Sequence, residues 1–259
     1  MDANKLSENE IRSLLPRELT ALPILVYDEI DSTNTESKHL IQEKGFNNAL
    51  VVANFQTQGR GRVGHSFLSP KGNGIYMSYI FTPDSLKGAE HATTKAAVAV
   101  LKSLSQLYNI TASVKWVNDI YYCDKKICGI LTEAVTSGIN KGSLIIGIGI
   151  NFKEFDLPDN LKETAGFLPA KENVTRNILI AKVLSNLYPE TENLLDTGYI
   201  KDYREASLLT GKDISFYEND VLKYAHVIDI DDDAGLIVKL QDGTITTLRS
   251  GEVFTIRKI

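Results

Sequence analysis

Residues 113–152 read SVKWVNDIYYCDKKICGILTEAVTSGINKGSLIIGIGINF, and their texture sets the fold class. Three strand patterns follow one another, SVKWVNDIYY, ICGILTEAV and SLIIGIGINF, rich in β-branched and aromatic residues. Upstream the same texture recurs in ILVYDEI from residue 24, ALVVANF from 49 and GIYMSYIF from 74. Helical patterns are fewer: 33–43, 90–107 and 175–195, with a short one inside 5–20 that carries Leu6, Ile11, Leu14 and Leu15 and ends at Pro16. Strands outnumber helices, so the expected class is α+β with a mixed β-sheet rather than regular βαβ winding.

After Leu208 the pattern changes to short strands, DISFY, LKYAHVIDI, LIVKL, TITTL and VFTIR, separated by the turn signals END, DDDAG and QDG. A separate small β-barrel of about 50 residues is expected there, marginal unless it packs on its neighbour. The expected organisation is an appendage at 1–20, a main domain at 21–207 and the barrel at 208–259.

With 259 residues, 43% hydrophobic and 24% charged, the chain has ordinary globular proportions, which disfavours a disordered chain or a membrane bundle. Its 28 Lys+Arg against 33 Asp+Glu leave a net charge of −5, which argues against a protein that blankets duplex phosphates with positive charge. Cys123, Cys128 and four scattered histidines form neither a disulfide framework nor a zinc-ligand spacing. The N-terminus is charged where a signal peptide needs an apolar stretch, and the run from Leu144 to Ile150 is far short of a membrane span. A cytoplasmic setting is expected.

Four segments carry chemistry. In Gln56-Thr-Gln-Gly59-Arg60-Gly61-Arg62-Val-Gly64, three glycines in six residues free the backbone while two arginines offer forked donors to carboxylate or phosphate oxygens. The functional reading is a loop closing over an anion; the plainer one is a solvated hairpin tip. Lys115-Trp-Val-Asn118-Asp119 sits at a strand end, where alternation would put Lys115, Val117 and Asp119 on one face. There the lysine can neutralise a phosphate and the carboxylate can hold the hydrated Mg²⁺ that phosphates bring; a surface salt bridge is the alternative. In Asp124-Lys-Lys126-Ile-Cys128-Gly129, a hairpin turn feeds an apolar strand, with Lys125 expected in solvent and Lys126 inward. Gly129 inside that strand suggests a wall approached by a flat ligand ring. Asp31-Ser32-Thr33-Asn34 is an N-cap signature with more hydroxyl and amide groups than capping needs, a surplus suited to a small polar head group.

These segments in this order, DSTN, QTxGRGRxG, SPxGNGIYMS, KWxND, a lysine just before xxGILxE, and GxGIN, resemble the biotin–protein ligases over roughly residues 25–152, and the region ending in LRSGEVFTIR resembles that family's C-terminal SH3-like barrel. The resemblance implies a catalytic domain related in fold to class II aminoacyl-tRNA synthetases, and a two-step reaction. ATP and biotin would first give biotinyl-5′-AMP, with Mg²⁺; a lysine of the biotin carboxyl carrier domain of a biotin-dependent carboxylase would then take the biotin. It also implies Ser32, Thr33, Asn34 and Gln56 around the biotin head, Gly59, Arg60, Gly61 and Arg62 as the loop closing on the adenylate, and Lys126 near the biotin carboxylate and α-phosphate, with Gly129 in the pocket wall. Lys115, Asn118, Asp119 and Asn151 are implied for the nucleotide and its metal, Asp119 as the metal ligand, and Arg249 as a contact from the C-terminal domain. Arg60, Arg62, Lys115 and Lys126 would be the catalytic cations. Many members read GRGRxGRxW and KWPND; here His65, Phe67 and Val117 stand instead, so His65 lacks an arginine's permanent charge while Phe67 keeps a stacking face for adenine. Bifunctional members carry a DNA-binding winged helix ahead of this domain, for which about twenty residues are too few. The expectation is a monomer or homodimer without DNA or membrane partners. A lipoate–protein ligase of the same fold and a non-catalytic biotin- or adenylate-binding regulator are the alternatives.

Overall fold

The structure, a computed structural model, describes residues 5–138 and 141–255. The chain opens with α1 (Glu8–Leu14), capped by the Ser7 hydroxyl, which accepts the Glu10 N–H. Then come β1 (Ile24–Tyr27), α2 (Thr33–Lys44), β2 (Asn48–Ala53), β3 (Gly74–Phe81) and α3 (Ala92–Tyr108). They are followed by β4 (Ser113–Lys115), β5 (Asp119–Tyr122), β6 (Lys125–Gly138), β7 (Lys141–Asn151), α4 (Arg176–Glu192) and α5 (Ile200–Glu205). The strands pair in the order β1-β2-β3-β7-β6-β5-β4, with β1 and β2 parallel and the other pairs antiparallel. This is the mixed α+β sheet that the strand count implies.

Period-two alternation sorts the side chains between two faces. Leu50, Val52, Ile75, Met77, Ile146 and Ile148 face the main core with α3 and α4. The alternate residues Ala49, Val51 and Ile80 meet Leu40 of α2 in a second, small cluster. Around and beyond the N-terminus of α2, that second face carries Tyr76, Ser78, Gly147 and Gly149, where a site can form.

The N-terminal segment, expected as an appendage, is part of the main core. Leu6, Ile11, Leu15, Leu19 and Leu22 are all buried. Asn177, at the start of α4, donates to the Lys5 carbonyl at 2.9 Å and the Glu10 carboxylate at 2.7 Å, and accepts the Ser7 N–H at 3.1 Å. A helix this short is not stable alone, so its tertiary contacts hold it.

The segment SVKWVNDIYY also departs from expectation. It is a tight hairpin rather than one strand: the chain reverses at residues 116–118, with the Trp116–Val117 peptide cis, and Lys115 stands opposite Asp119. The two residues share a face through cross-strand pairing instead of alternation.

The C-terminal strands β8 (Asp213–Glu218), β9 (Val221–Ile230), β10 (Leu236–Leu240), β11 (Ile245–Leu248) and β12 (Val253–Thr255) form a five-stranded antiparallel sheet in the order β11-β10-β9-β8-β12. The last two residues of the predicted VFTIR strand lie outside the described residues, and no ladder among the described residues joins β11 to β12. Ile214, Phe216, Val227, Leu236 and Val253 continue the main core, supplying the burial that so small a sheet lacks by itself.

Ile11→Ala is expected to destabilise the protein by about 2–5 kcal/mol, because Ile11 is fully buried between α1 and the core. Urea unfolding checks this; an unchanged midpoint would return residues 5–20 to the status of an appendage.

Candidate active site

Cross-strand partners share a face, so the sheet's register arrays residues from distant segments in rows. One row crosses from β3 to β4 as Tyr76, Gly149, Gly129, Asp119 and Lys115. The next holds Ser78, Gly147 and Leu131. Facing glycines give the first row a floor without side chains. Phe67 lies over it: a β carbon on Gly149 would come within 2.6 Å of the Phe67 ring, and one on Gly129 within 3.5 Å.

The roof is the glycine–arginine segment. It is a hairpin, with Phe67 N–H donating to the Gly59 carbonyl at 2.8 Å and Gly61 N–H to that of His65 at 2.7 Å. Gly59 is required at its base, since a β carbon there would meet the Phe67 carbonyl at 2.2 Å. Floor and roof enclose a cavity of about 290 Å³.

At one end, the start of α2 meets the sheet in a buried polar network. Ser32 occupies the N-cap position but makes no side-chain cap bond. Gln56 substitutes for it: its Oε1 accepts the Thr33 N–H at 2.8 Å and its Nε2 donates to Ser69 at 2.9 Å. Ser78 Oγ is 2.7 Å from both Thr33 Oγ1 and Asn34 Oδ1, and Asn34 Nδ2 donates to Glu133 at 2.8 Å. Glu133 also pairs with Lys38 at 2.7 Å and Arg60 at 3.3 Å. Burial pushes the Glu133 carboxyl up, but these partners prevail and hold its pKa below the usual value.

At the other end Arg60, Arg62, Lys115 and Lys126 line the cavity. Lys126 Nζ lies 2.8 Å from Asp119 Oδ1, whereas Lys125 points outward to the Lys162 carbonyl. The backbone of Lys126 is clamped between Thr164 and Gly166, each in a 2.8 Å hydrogen bond. Arg62 donates to Asn118 Oδ1 at 3.2 Å, and Asn118 donates to the Ile130 carbonyl at 3.0 Å. Desolvation lowers the Lys115 pKa, against the opposing pull of Asp119 and Glu252.

Of the residues assigned to the site from the sequence, all but Gly59, Asn151 and Arg249 line this cavity. Asn151 donates to the Gly166 carbonyl at 2.9 Å, and Arg249 pairs with Asp231. Sequence reasoning missed Tyr76, Ser78, Glu133, Gly147, Gly149 and the C-terminal contributors Glu252 and Val253. Glycines alternating inside an apolar strand were the available signal for Gly147 and Gly149. Among the described residues no three His, Cys, Asp or Glu side chains gather as a metal site, and no helix is long and apolar enough to cross a membrane.

A hydrogen-bonding end joined to a cationic rim, on a mixed sheet, suits a small polar group at one end and an anion at the other. Residues 26–151 match the Biotin/lipoate A/B protein ligase family. The bifunctional ligase/repressor BirA of Bacillus subtilis is 34% identical over 247 residues, covering 92% of this chain and 76% of that protein. The BirA of Escherichia coli is 26% identical over 237 residues, covering 89% and 73%. In fold, the biotin protein ligase from Aquifex aeolicus, solved in complex with biotin and ATP, is similar with a TM-score of 0.74 at 24% identity, over 91% of this chain and 99% of that one. The chain belongs to the biotin/lipoate protein ligase family.

Gly147→Ala should be the costly glycine substitution. Its β carbon would fall 2.1 Å from Asn34 Oδ1, inside the buried network, and leaving that amide unpaired costs about 1–3 kcal/mol. Gly149→Ala needs only the Phe67 ring to swing away and should cost much less. Thermal or urea unfolding of both variants checks the order; equal losses would show that the Asn34 network is not rigid.

Proposed function

We propose that the protein is an ATP-dependent biotin–protein ligase, which activates biotin as biotinyl-5′-AMP and transfers it to a lysine of a biotin carboxyl carrier domain. The observation that carries this reading is the joining of the Ser32–Thr33–Asn34–Gln56 end to the four cations within one cavity. A ureido ring offers N–H donors and a carbonyl acceptor that match hydroxyl and amide groups, which favours biotin over the apolar dithiolane of lipoate. Gly129 and Gly149 let the Phe67 ring lie against the strand backbone, and that ring offers the cavity an apolar surface for a ligand's ring or alkyl chain.

The chemistry asks a carboxylate to attack an α-phosphorus that is itself negatively surrounded. Arg60, Arg62, Lys115 and Lys126 offset that repulsion and align the groups, and pyrophosphate departs. The resulting mixed anhydride is sensitive to water, so the roof hairpin protects it; His65 lies 3.7 Å from Glu252, bringing the hairpin against the C-terminal sheet. The acceptor's amine then attacks the acyl carbon and AMP leaves. Asp119, now paired with Lys126, is the carboxylate that would hold a Mg²⁺ accompanying the triphosphate, and such an ion would neutralise phosphate charge. The net charge of −5 argues against duplex binding through a broad basic surface, and the free cysteines Cys123 and Cys128 suit a cytoplasmic setting.

Biotin- and ATP-dependent pyrophosphate release, followed by transfer of label to a carrier domain, tests the proposal; lipoate should support neither step. Lys126→Ala is expected to slow pyrophosphate release about a hundredfold or more while leaving the urea midpoint in place, since a partly exposed lysine adds little to stability. Undiminished release would refute its role.

The lowered pKa of Lys115 predicts an alkaline limb. Its cationic form offsets phosphate charge, so release should fall as pH rises, at a pH below that at which an ordinary lysine titrates. Lys115→Arg, charged throughout the accessible range, should move the limb upward; a limb that stays put belongs to another group.

A further inference from the structure

Arg249 stands outside the cavity, in a setting that gives it a different task. Its guanidinium is forked onto Asp231, with Nη2 2.6 Å from Oδ2 and Nη1 3.0 Å from Oδ1. The same Oδ1 accepts the backbone N–H groups of Asp233 at 3.0 Å and Gly235 at 2.7 Å. Asp231 N–H in turn donates to the Gly235 carbonyl at 2.9 Å. One carboxylate thus organises the turn at 231–235, and the guanidinium fixes the carboxylate. Gly235 packs directly against the fork: a β carbon there would lie 2.5 Å from Nη1 and from Thr247 Cγ2, so the guanidinium would have to shift.

At this turn Ala234, in the left-handed region at φ 61°, presents its carbonyl to the buried indole N–H of Trp116, at 2.8 Å. On the catalytic side, the Tyr203 hydroxyl donates to the Val117 carbonyl at 3.0 Å. The reversal at 116–118 is therefore gripped from both domains, and its two ends are Lys115 and Asp119. Arg204 of α5 ties the 231–235 turn to the catalytic domain, donating to the Ile230 carbonyl at 2.6 Å and pairing with Asp232 at 2.8 Å.

We propose that Arg249 is a positioning residue: through Asp231 and the 231–235 turn it holds Trp116, and so sets the Lys115–Asp119 pair against the reacting phosphate. The proposal rests on the reading of this cavity as an adenylation site. A guanidinium touching the nucleotide would act chiefly on binding. One that holds the hairpin acts on the placement of a cation needed in the transition state, and so on kcat.

Trp116 is the only tryptophan of the chain, so its emission reports on the hairpin whether or not the protein is active. Arg249→Ala, Asp231→Asn and Gly235→Ala are each expected to shift that emission to longer wavelength and increase its quenching by acrylamide. Each should lower kcat for pyrophosphate release about tenfold, with KM for ATP within about twofold of wild type. The Arg249→Ala/Asp231→Asn double variant should be no worse than either single one, since both remove the same link. Arg249→Lys, which keeps the charge and loses the fork, should recover part of the rate and of the emission. Unaltered emission and rates in Asp231→Asn and Gly235→Ala, with a raised KM for ATP in Arg249→Ala, would overturn the proposal and make Arg249 a nucleotide contact. If the wild-type protein released no pyrophosphate while the three variants still shifted the emission, the adenylation reading would fall and the structural link would stand.

Discussion

Register is the constraint on which the site depends. Tyr76, Gly149, Gly129, Asp119 and Lys115 come from five strands and stand in one row only while every ladder between β3 and β4 keeps its phase. A one-residue slip of β7 would turn Ile148 or Ile150 toward the cavity and fill the floor with side chain. The core prevents this. Ile130 and Ile148 are cross-strand partners on the opposite face, both buried, and each would forfeit about 1.5–3 kcal/mol on exposure. Packing that never touches a ligand therefore determines where the glycines lie.

A bare floor cannot recognise a ligand, so hydrogen bonding comes from elements brought to its edges. Glu133 links the two ends of this arrangement. It accepts from Asn34 at the buried end and pairs with Arg60 at the base of the roof hairpin, while Lys38 offsets its charge. Its lowered pKa keeps the carboxylate ionised, so the head pocket and the loop remain connected through one side chain.

The strands, including those of the C-terminal sheet, and the three longer helices were legible in the sequence because each carries its own period. Gly129 was legible as a glycine interrupting a strand. Gly147 and Gly149 carry the same mark but lie within the apolar run of SLIIGIGINF, where alternation is hard to see. The reversal at Trp116–Asn118 was not legible: it contains no Gly or Pro, and alternation through Lys115, Val117 and Asp119 imitates a strand. Glu133 depends on β6 lying beside α2, 99 residues away from Asn34, a relation no local pattern encodes. The N-terminal segment looked detached for a similar reason, since its partner Asn177 is 170 residues from Ser7.

The C-terminal sheet belongs to the site physically and not only by proximity. Glu252 and Val253 line the cavity, and the ring of Phe254 has Lys115 Nζ at 5.9 Å from its centroid. Removing water from around Lys115 is what lowers its pKa, and Glu252 is one of the charges that resist the fall. A cation in a drier setting interacts more strongly with phosphate than one in bulk water. The C-terminal sheet therefore shapes the electrostatics of a lysine that belongs to the larger sheet. The hairpin bearing that lysine is held by the Tyr203 hydroxyl and by the Ala234 carbonyl, so α5 and the C-terminal sheet together fix the charge in place.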